Sequence, residues 1–231
     1  MSSWARPFRH IPRRTLSAVC LLAALCLTPG ISAAHAQSLS AHTLAKRIDK
    51  HYDSLHSLEV NFTQLYEGMG MNRRESGVLL LKKPGRMRWT YSRPAGKLFL
   101  LDGHYGYFYT PGDSTAQRVP AKQIDDLRSP LRFLLGHTKL DKELNHLTIA
   151  PDGNGLYTLT GIPRHLEKRI ASFSVTTTAD GVIQRILIDE TDGVRNTFQF
   201  SNERPNAPAP ASAFDFTPPS GVRIVDGMPP V

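Results

Sequence analysis

The stretch from Glu75 to Pro111, ESGVLLLKKPGRMRWTYSRPAGKLFLLDGHYGYFYTP, constrains this chain more than any other. It reads as a meander of short strands whose apolar residues crowd both faces. A small sheet in water normally keeps one face dry and one wet. Here both faces need cover, or one of them faces an apolar ligand. One parity, Leu79, Leu81, Lys83, Met87, Trp89 and Tyr91, is an apolar and aromatic stripe broken only by Lys83. The other, Val78, Leu80, Lys82, Arg86, Arg88 and Thr90, is more polar. Side chains alternate along a strand, so the first set is expected on the concave face of a curled sheet. Ordinary core and the lining of an apolar cavity of several hundred Å³ both satisfy that pattern.

The rest of the chain repeats the theme. Ser40–Asp53 is predicted to be helical, with Leu44, Ile48 and Leu55 at helical spacing, Tyr52 nearby and Ser40 as the cap. The period then changes to two at Leu58, Val60, Phe62, Gln64 and Tyr66, and Glu67–Arg73 reads as a hairpin loop. Strands are predicted near 74–83, 86–92, 97–102, 105–110 and 115–119. Ser129–Gly136 (SPLRFLLG) has a capping serine, a proline at the first helical position and a terminating glycine, so it reads as a short apolar helix. Lys139–Leu144 suggests a further helical turn. Strands resume near 145–150, 155–160, 170–178, 182–190 and 195–202, separated by Asp-Gly turn signals. Pro205–Ala213 reads as an extended loop. About eleven short strands with hairpin connections predict a mainly β fold. It is a single antiparallel sheet curled into an unclosed half-barrel, with a small α-helical lid plugging the mouth.

The N-terminus has a different purpose. Arg6, Arg9, Arg13 and Arg14 precede a short apolar run, Thr15–Leu27, which Pro29-Gly30 ends before Ala34-His35-Ala36. That is the layout of a cleaved secretory signal peptide, and the apolar run is shorter than the ~20 residues of a membrane helix. Residues 1–36 are therefore expected to be removed, leaving one domain over 37–231. Both cysteines, Cys20 and Cys26, lie in the leader. The mature chain then has no disulfide, no thiol chemistry and no cysteine-ligated zinc. Neither cysteine follows a small residue, which argues against acylation. The leader also takes four arginines, leaving 24 basic against 20 acidic side chains. No basic run interleaved with aromatics points to nucleic acid.

Catalytic patterns are missing. The nine histidines include no H-E-x-x-H, and no G-x-S-x-G elbow is present. Gly68-Met69-Gly70 is a fragment of a dinucleotide fingerprint and precedes no helix. The expectation is a non-enzymatic protein without metal or cofactor.

Three blocks, taken in order, resemble one family. GVLLLKKPGRMRWTYSRP, LFLLDG and YFYTP supply Gly77, Lys82-Lys83-Pro84, Met87, Trp89, Pro94, Asp102-Gly103 and the aromatic strand closing on Pro111. SPLRFLLG at 129–136 is the second block. Phe214–Val222 (FDFTPPSGV) is similar to the family's F-x-F-T-P-P-x-G-V ending. The chain thereby resembles the LolA family of periplasmic outer-membrane lipoprotein carriers across essentially its whole mature length.

The resemblance implies an unclosed β-barrel with a helical lid. Its cavity would shield the acyl chains of lipoproteins, since each buried CH₂ is worth about 0.8 kcal/mol. Leu79, Leu81, Met87, Trp89, Tyr91, Phe99, Leu101 and Phe133 are the expected cavity residues. It further implies a monomer in the periplasm that receives acylated lipoproteins from an inner-membrane ABC-type release complex and passes them to an outer-membrane acceptor. Another exported half-barrel, a lipid binder or lipoprotein sensor, is the alternative. The family often carries Arg before the Pro84 position, hydrogen-bonded to the lid. Here it is Lys83, which lacks the bidentate fork.

Overall fold

A computed structural model of the protein describes residues 39–124 and 139–227. The predicted leader, the predicted helix at 129–136 and Phe133 lie outside the described residues. The described residues belong to one compact unit.

The described residues form a single twelve-stranded sheet. In chain order come helix α1 (Ala41–Asp53), β1 (Ser57–Gly68), β2 (Met71–Lys82), β3 (Arg86–Arg93), β4 (Ala95–Leu101), β5 (Tyr105–Tyr109), β6 (Thr115–Pro120) and α2 (Ala121–Ile124). Then follow α3 (Leu140–Glu143), β7 (Leu144–Pro151), β8 (Leu156–Pro163), β9 (Ile170–Thr178), β10 (Ile183–Glu190), β11 (Arg195–Pro205), a 3₁₀ turn (Ala211–Phe214) and β12 (Arg223–Asp226). The spatial order is β12-β6-β5-β4-β3-β2-β1-β11-β10-β9-β8-β7. Two meanders thus spread in opposite directions from the β1–β11 seam. The outermost strands, β12 and β7, do not pair with each other, so the sheet stays unclosed. No helix among the described residues is long and apolar enough to cross a membrane.

Three local expectations change. The loop expected over Glu67–Arg73 shrinks to a two-residue turn: strand pairing continues to Gly68↔Met71. Met69 (φ 51°) and Gly70 (φ 75°) both take positive φ, which matches the right-handed twist of the flanking strands. Strand β12 is an addition to the expected set, and it pairs parallel to β6 in an otherwise antiparallel sheet. The expected loop from Pro205 also ends differently, because its last residues coil into the 3₁₀ turn.

That turn answers the question posed by the two apolar faces. Cross-strand register places Leu80, Arg88, Leu100 and Tyr107 in one convex row. Leu100 and Phe214 are buried yet stand apart from the concave core. Arg88 Nη1 donates to the Ala213 carbonyl at 2.9 Å, and Lys82 Nζ to the Ala209 carbonyl at 2.7 Å. Tyr107 stacks on Phe216 with centroids 4.9 Å apart. The C-terminal segment is therefore the cover of the second face.

Candidate functional site

The concave face is built in rows. Val60, Leu79, Trp89, Phe99 and Phe108 lie side by side on five successive strands, and Leu58, Leu81, Met87 and Leu101 form the next row. Seven of the expected cavity residues, Leu79, Leu81, Met87, Trp89, Tyr91, Phe99 and Leu101, meet here and all are buried. The rings interlock: Phe62 meets Trp89 edge-on at 4.6 Å and Tyr91 at 5.1 Å, and Phe99 stacks on Phe108 at 4.7 Å. Gly77 sits between Phe62 and Tyr91 in the register. A Cβ there would lie 2.0 Å from the Thr90 carbonyl oxygen, so the glycine that opens the first motif is a steric requirement.

Sequence reasoning missed the residues that come from the far meander. Phe198, Phe200 and Ile183 join the same core. Phe200 pairs with Phe62 across the β1–β11 seam, a contact between segments far apart in sequence. Val60 and Phe62 carried a visible signal, since their period of two matches that of Leu79 and Leu81.

The roof over this face is α1. Ser40 caps it, its Oγ accepting from Thr43 N–H at 3.1 Å. Leu44, Ala45, Ile48 and Tyr52 recur on one face and are buried in the core. At the β9–β10 turn Gly181 allows close approach, because a Cβ there would come within 2.6 Å of the α1 backbone at Arg47 and Ile48. Arg47 Nη1 adds a bond to the Ala179 carbonyl at 2.7 Å.

Polar contacts pin the helix. Tyr52 OH donates to Glu203 Oε2 at 2.9 Å and accepts from Ile183 N–H at 3.1 Å. His51 Nε2 meets the other Glu203 oxygen at 2.7 Å. Burial, then the Glu203 carboxylate, pushes the Tyr52 phenol well above the usual tyrosine range. Asp49, buried, accepts from Leu140 N–H at 3.1 Å and so supplies the cap that α3's own N-terminal Lys139 does not. Desolvation raises the Asp49 carboxyl above its ordinary value, although the Leu140 bond opposes this. Lys139 also pairs with Asp53. Lys83 reaches the carbonyl of Tyr52 with its ammonium, and its backbone N–H bonds the His56 carbonyl at 2.9 Å. Desolvation lowers the Lys83 pKa.

Beneath α1 the described residues of the concave face pack closely. Tyr52, Leu58, Val60, Leu79, Ile183, Phe200 and Glu203 enclose a cavity of about 10 Å³, room for about one water. Trp89 is buried, and its Nε1–H has no hydrogen-bond partner among the described residues. No group of three or more potential metal ligands occurs among the described residues.

The chain is 28% identical over 208 residues to the outer-membrane lipoprotein carrier protein of Pectobacterium carotovorum, covering 89% of this chain and 97% of the relative. It is 29% identical over 217 residues to the carrier protein of the same name from Bordetella avium, covering 92% and 98%. Among solved structures, an uncharacterized conserved protein from Thermus thermophilus shares the fold, with a TM-score of 0.52 at 11% identity, covering 81% of this chain and 99% of that one. Residues 53–217, which hold the twelve-strand sheet up to its last strand, match the family described as outer membrane lipoprotein carrier protein LolA. A half-barrel with its apolar face roofed by a capped helix is thus accompanied by a sequence match over most of the chain, and the protein belongs to the LolA family.

Proposed function

We propose that this protein is a periplasmic, non-enzymatic carrier that holds the acyl chains of lipoproteins against its concave face. It would take them from an inner-membrane ABC-type release complex and pass them to an outer-membrane acceptor. The observation that carries this reading is the aromatic and aliphatic concave face, continuous across both meanders and covered by an amphipathic helix. Acyl chains need a pocket of several hundred Å³, so α1 would have to shift for them to reach the part of the face it covers. Such a two-state roof is favoured open by cargo and closed by its own packing. Its polar anchors, among them Tyr52–Glu203, Asp49–Leu140 and Lys83–Tyr52, are individually worth about 1–3 kcal/mol at most, weak enough to exchange for cargo contacts. The orphan Trp89 Nε1–H would find an acceptor in an ester carbonyl at the head of an acyl chain.

Native mass spectrometry of protein purified from periplasm tests the reading. Bound acylated protein or lipid is the expected result. Protein that carries neither, and that takes up no apolar fluorophore in solution, would falsify it.

A further inference from the structure

The β1–β2 hairpin tip has a composition that its local structure does not explain. Met69 occupies the first central position of the turn with φ 51°, in the left-handed region. Asn, Asp or Gly is preferred there, since a longer side chain gains no local hydrogen bond to offset the strain. Met69 is also 79% exposed, and Met71 beside it is 51% exposed. Conformation and solvent thus both disfavour methionine at 69. Isolated exposed apolar residues are ordinary. Two adjacent ones at the projecting end of a hairpin, one of them in a strained position, are not.

The surroundings say what such a tip would meet. Arg73 and Arg74 are exposed beside it. Two of the nearby acidic groups, Glu75 and Asp189, are held in ion pairs. Glu75 is buried between Lys97 Nζ at 2.6 Å and Arg73 Nε at 3.1 Å. Asp189 pairs with Arg195 at 2.6 Å, and Asp192 accepts from Val194 N–H within its own turn. Glu67 faces Asn72 across the hairpin. The tip therefore combines flexible apolar side chains with the exposed guanidinium of Arg74 and with two cations, Arg73 and Lys97, that share the single carboxylate of Glu75, the pairing of signals that gives reversible adsorption to a negatively charged bilayer.

We infer that the Met69–Arg74 hairpin tip is a docking element for the surface of an anionic phospholipid bilayer. It is separate from the concave face, so it would hold the protein at a membrane whatever that face carries. A carrier that unloads at membranes has a use for such contact, but the inference does not depend on cargo binding.

The test uses the chain from Gln37 onward and sedimentation with phosphatidylcholine vesicles, with and without phosphatidylglycerol. Binding to the phosphatidylglycerol vesicles that weakens as salt is added is expected. The double variant Met69→Asn/Met71→Asn should bind at least about tenfold more weakly. Its melting temperature should be unchanged or higher, because Asn suits the turn. Its uptake of an apolar fluorophore should also be unchanged, which separates tip docking from lipid uptake by the concave face. Arg74→Ser should cost about fivefold and flatten the salt dependence. Absence of binding to phosphatidylglycerol vesicles overturns the inference, as does a double variant that binds like the parent. Binding confined to native membranes that retain their proteins also overturns it, and assigns the tip to a protein partner.

Discussion

The ammonium of Lys83 donates to the backbone carbonyl of Tyr52, in the last turn of α1, so the sheet holds the roof helix by its C-terminal end. A cation suits that end, where unpaired carbonyls concentrate negative potential. The same residue breaks the apolar stripe of β2 and β3 in the sequence.

Lys83→Leu should leave loading intact and lower transfer to an acceptor, because the roof loses its latch while the concave face stays apolar. Lys83→Arg should be tolerated or tighten closure. Desolvation lowers the Lys83 pKa, so the unfolded chain holds this proton more tightly. Stability relative to Lys83→Met should therefore rise with pH from below the lowered value up to the ordinary 10.5. A transfer assay with purified acceptor and denaturant titrations across that range check both parts. Unchanged transfer in Lys83→Leu would remove the latch role.

Asp49→Asn should be as stable as the parent at neutral pH, or more so. The amide oxygen still accepts from Leu140 N–H, and the buried charge is gone. The Asp49 pKa is raised, so its protonated form favours folding. The parent should lose stability relative to Asp49→Asn as pH rises from 3.8 through the raised value. Asp49→Leu removes the acceptor and should cost about 1 kcal/mol or more by denaturant titration.

Tyr52→Phe strips the hydroxyl that links Ile183 N–H to Glu203. Leaving that buried donor unpaired should cost about 1–3 kcal/mol. The raised phenol pKa adds a signature above pH 10. Folding protects the proton there, so the parent loses stability as pH climbs and Tyr52→Phe does not lose that increment. Parallel melts at neutral and alkaline pH decide it.

Leu79→Ala opens the small cavity beside Val60 and Phe200. A cost of about 2–5 kcal/mol is expected. Uptake of an apolar fluorophore per folded molecule should rise. Unaltered uptake at the reduced stability would mark this part of the face as packing alone.

Gly77→Ala should cost roughly 3 kcal/mol or more, since its methyl would overlap the Thr90 carbonyl and the backbone of a neighbouring strand is slow to yield. Thermal melting gives the answer. A variant with parental stability would mean that β2 and β3 can separate there at little cost.

Periodicity within single segments determined much of this protein before any coordinates. The parity of Leu79, Leu81, Met87, Trp89 and Tyr91 named the buried face, because alternation along a strand is local chemistry. The spacing of Leu44 and Ile48, with Ser40 before them, placed α1, although Leu55, read with them, falls beyond its last residue, Asp53. Turn residues located the β1–β2, β7–β8, β9–β10 and β10–β11 hairpins for the same reason. Relations between distant segments were decided only by the tertiary structure. The pairing of β1 with β11 brings Phe200 to Phe62. The return of β12 alongside β6 adds a parallel strand. The folding of Phe214 and Phe216 onto the convex face covers the second apolar layer. Each rests on long-range packing that leaves no period in the chain. Lys83 belongs to both kinds: its interruption of the stripe is written in the sequence, but its partner is a backbone carbonyl, and a carbonyl has no side-chain identity to read.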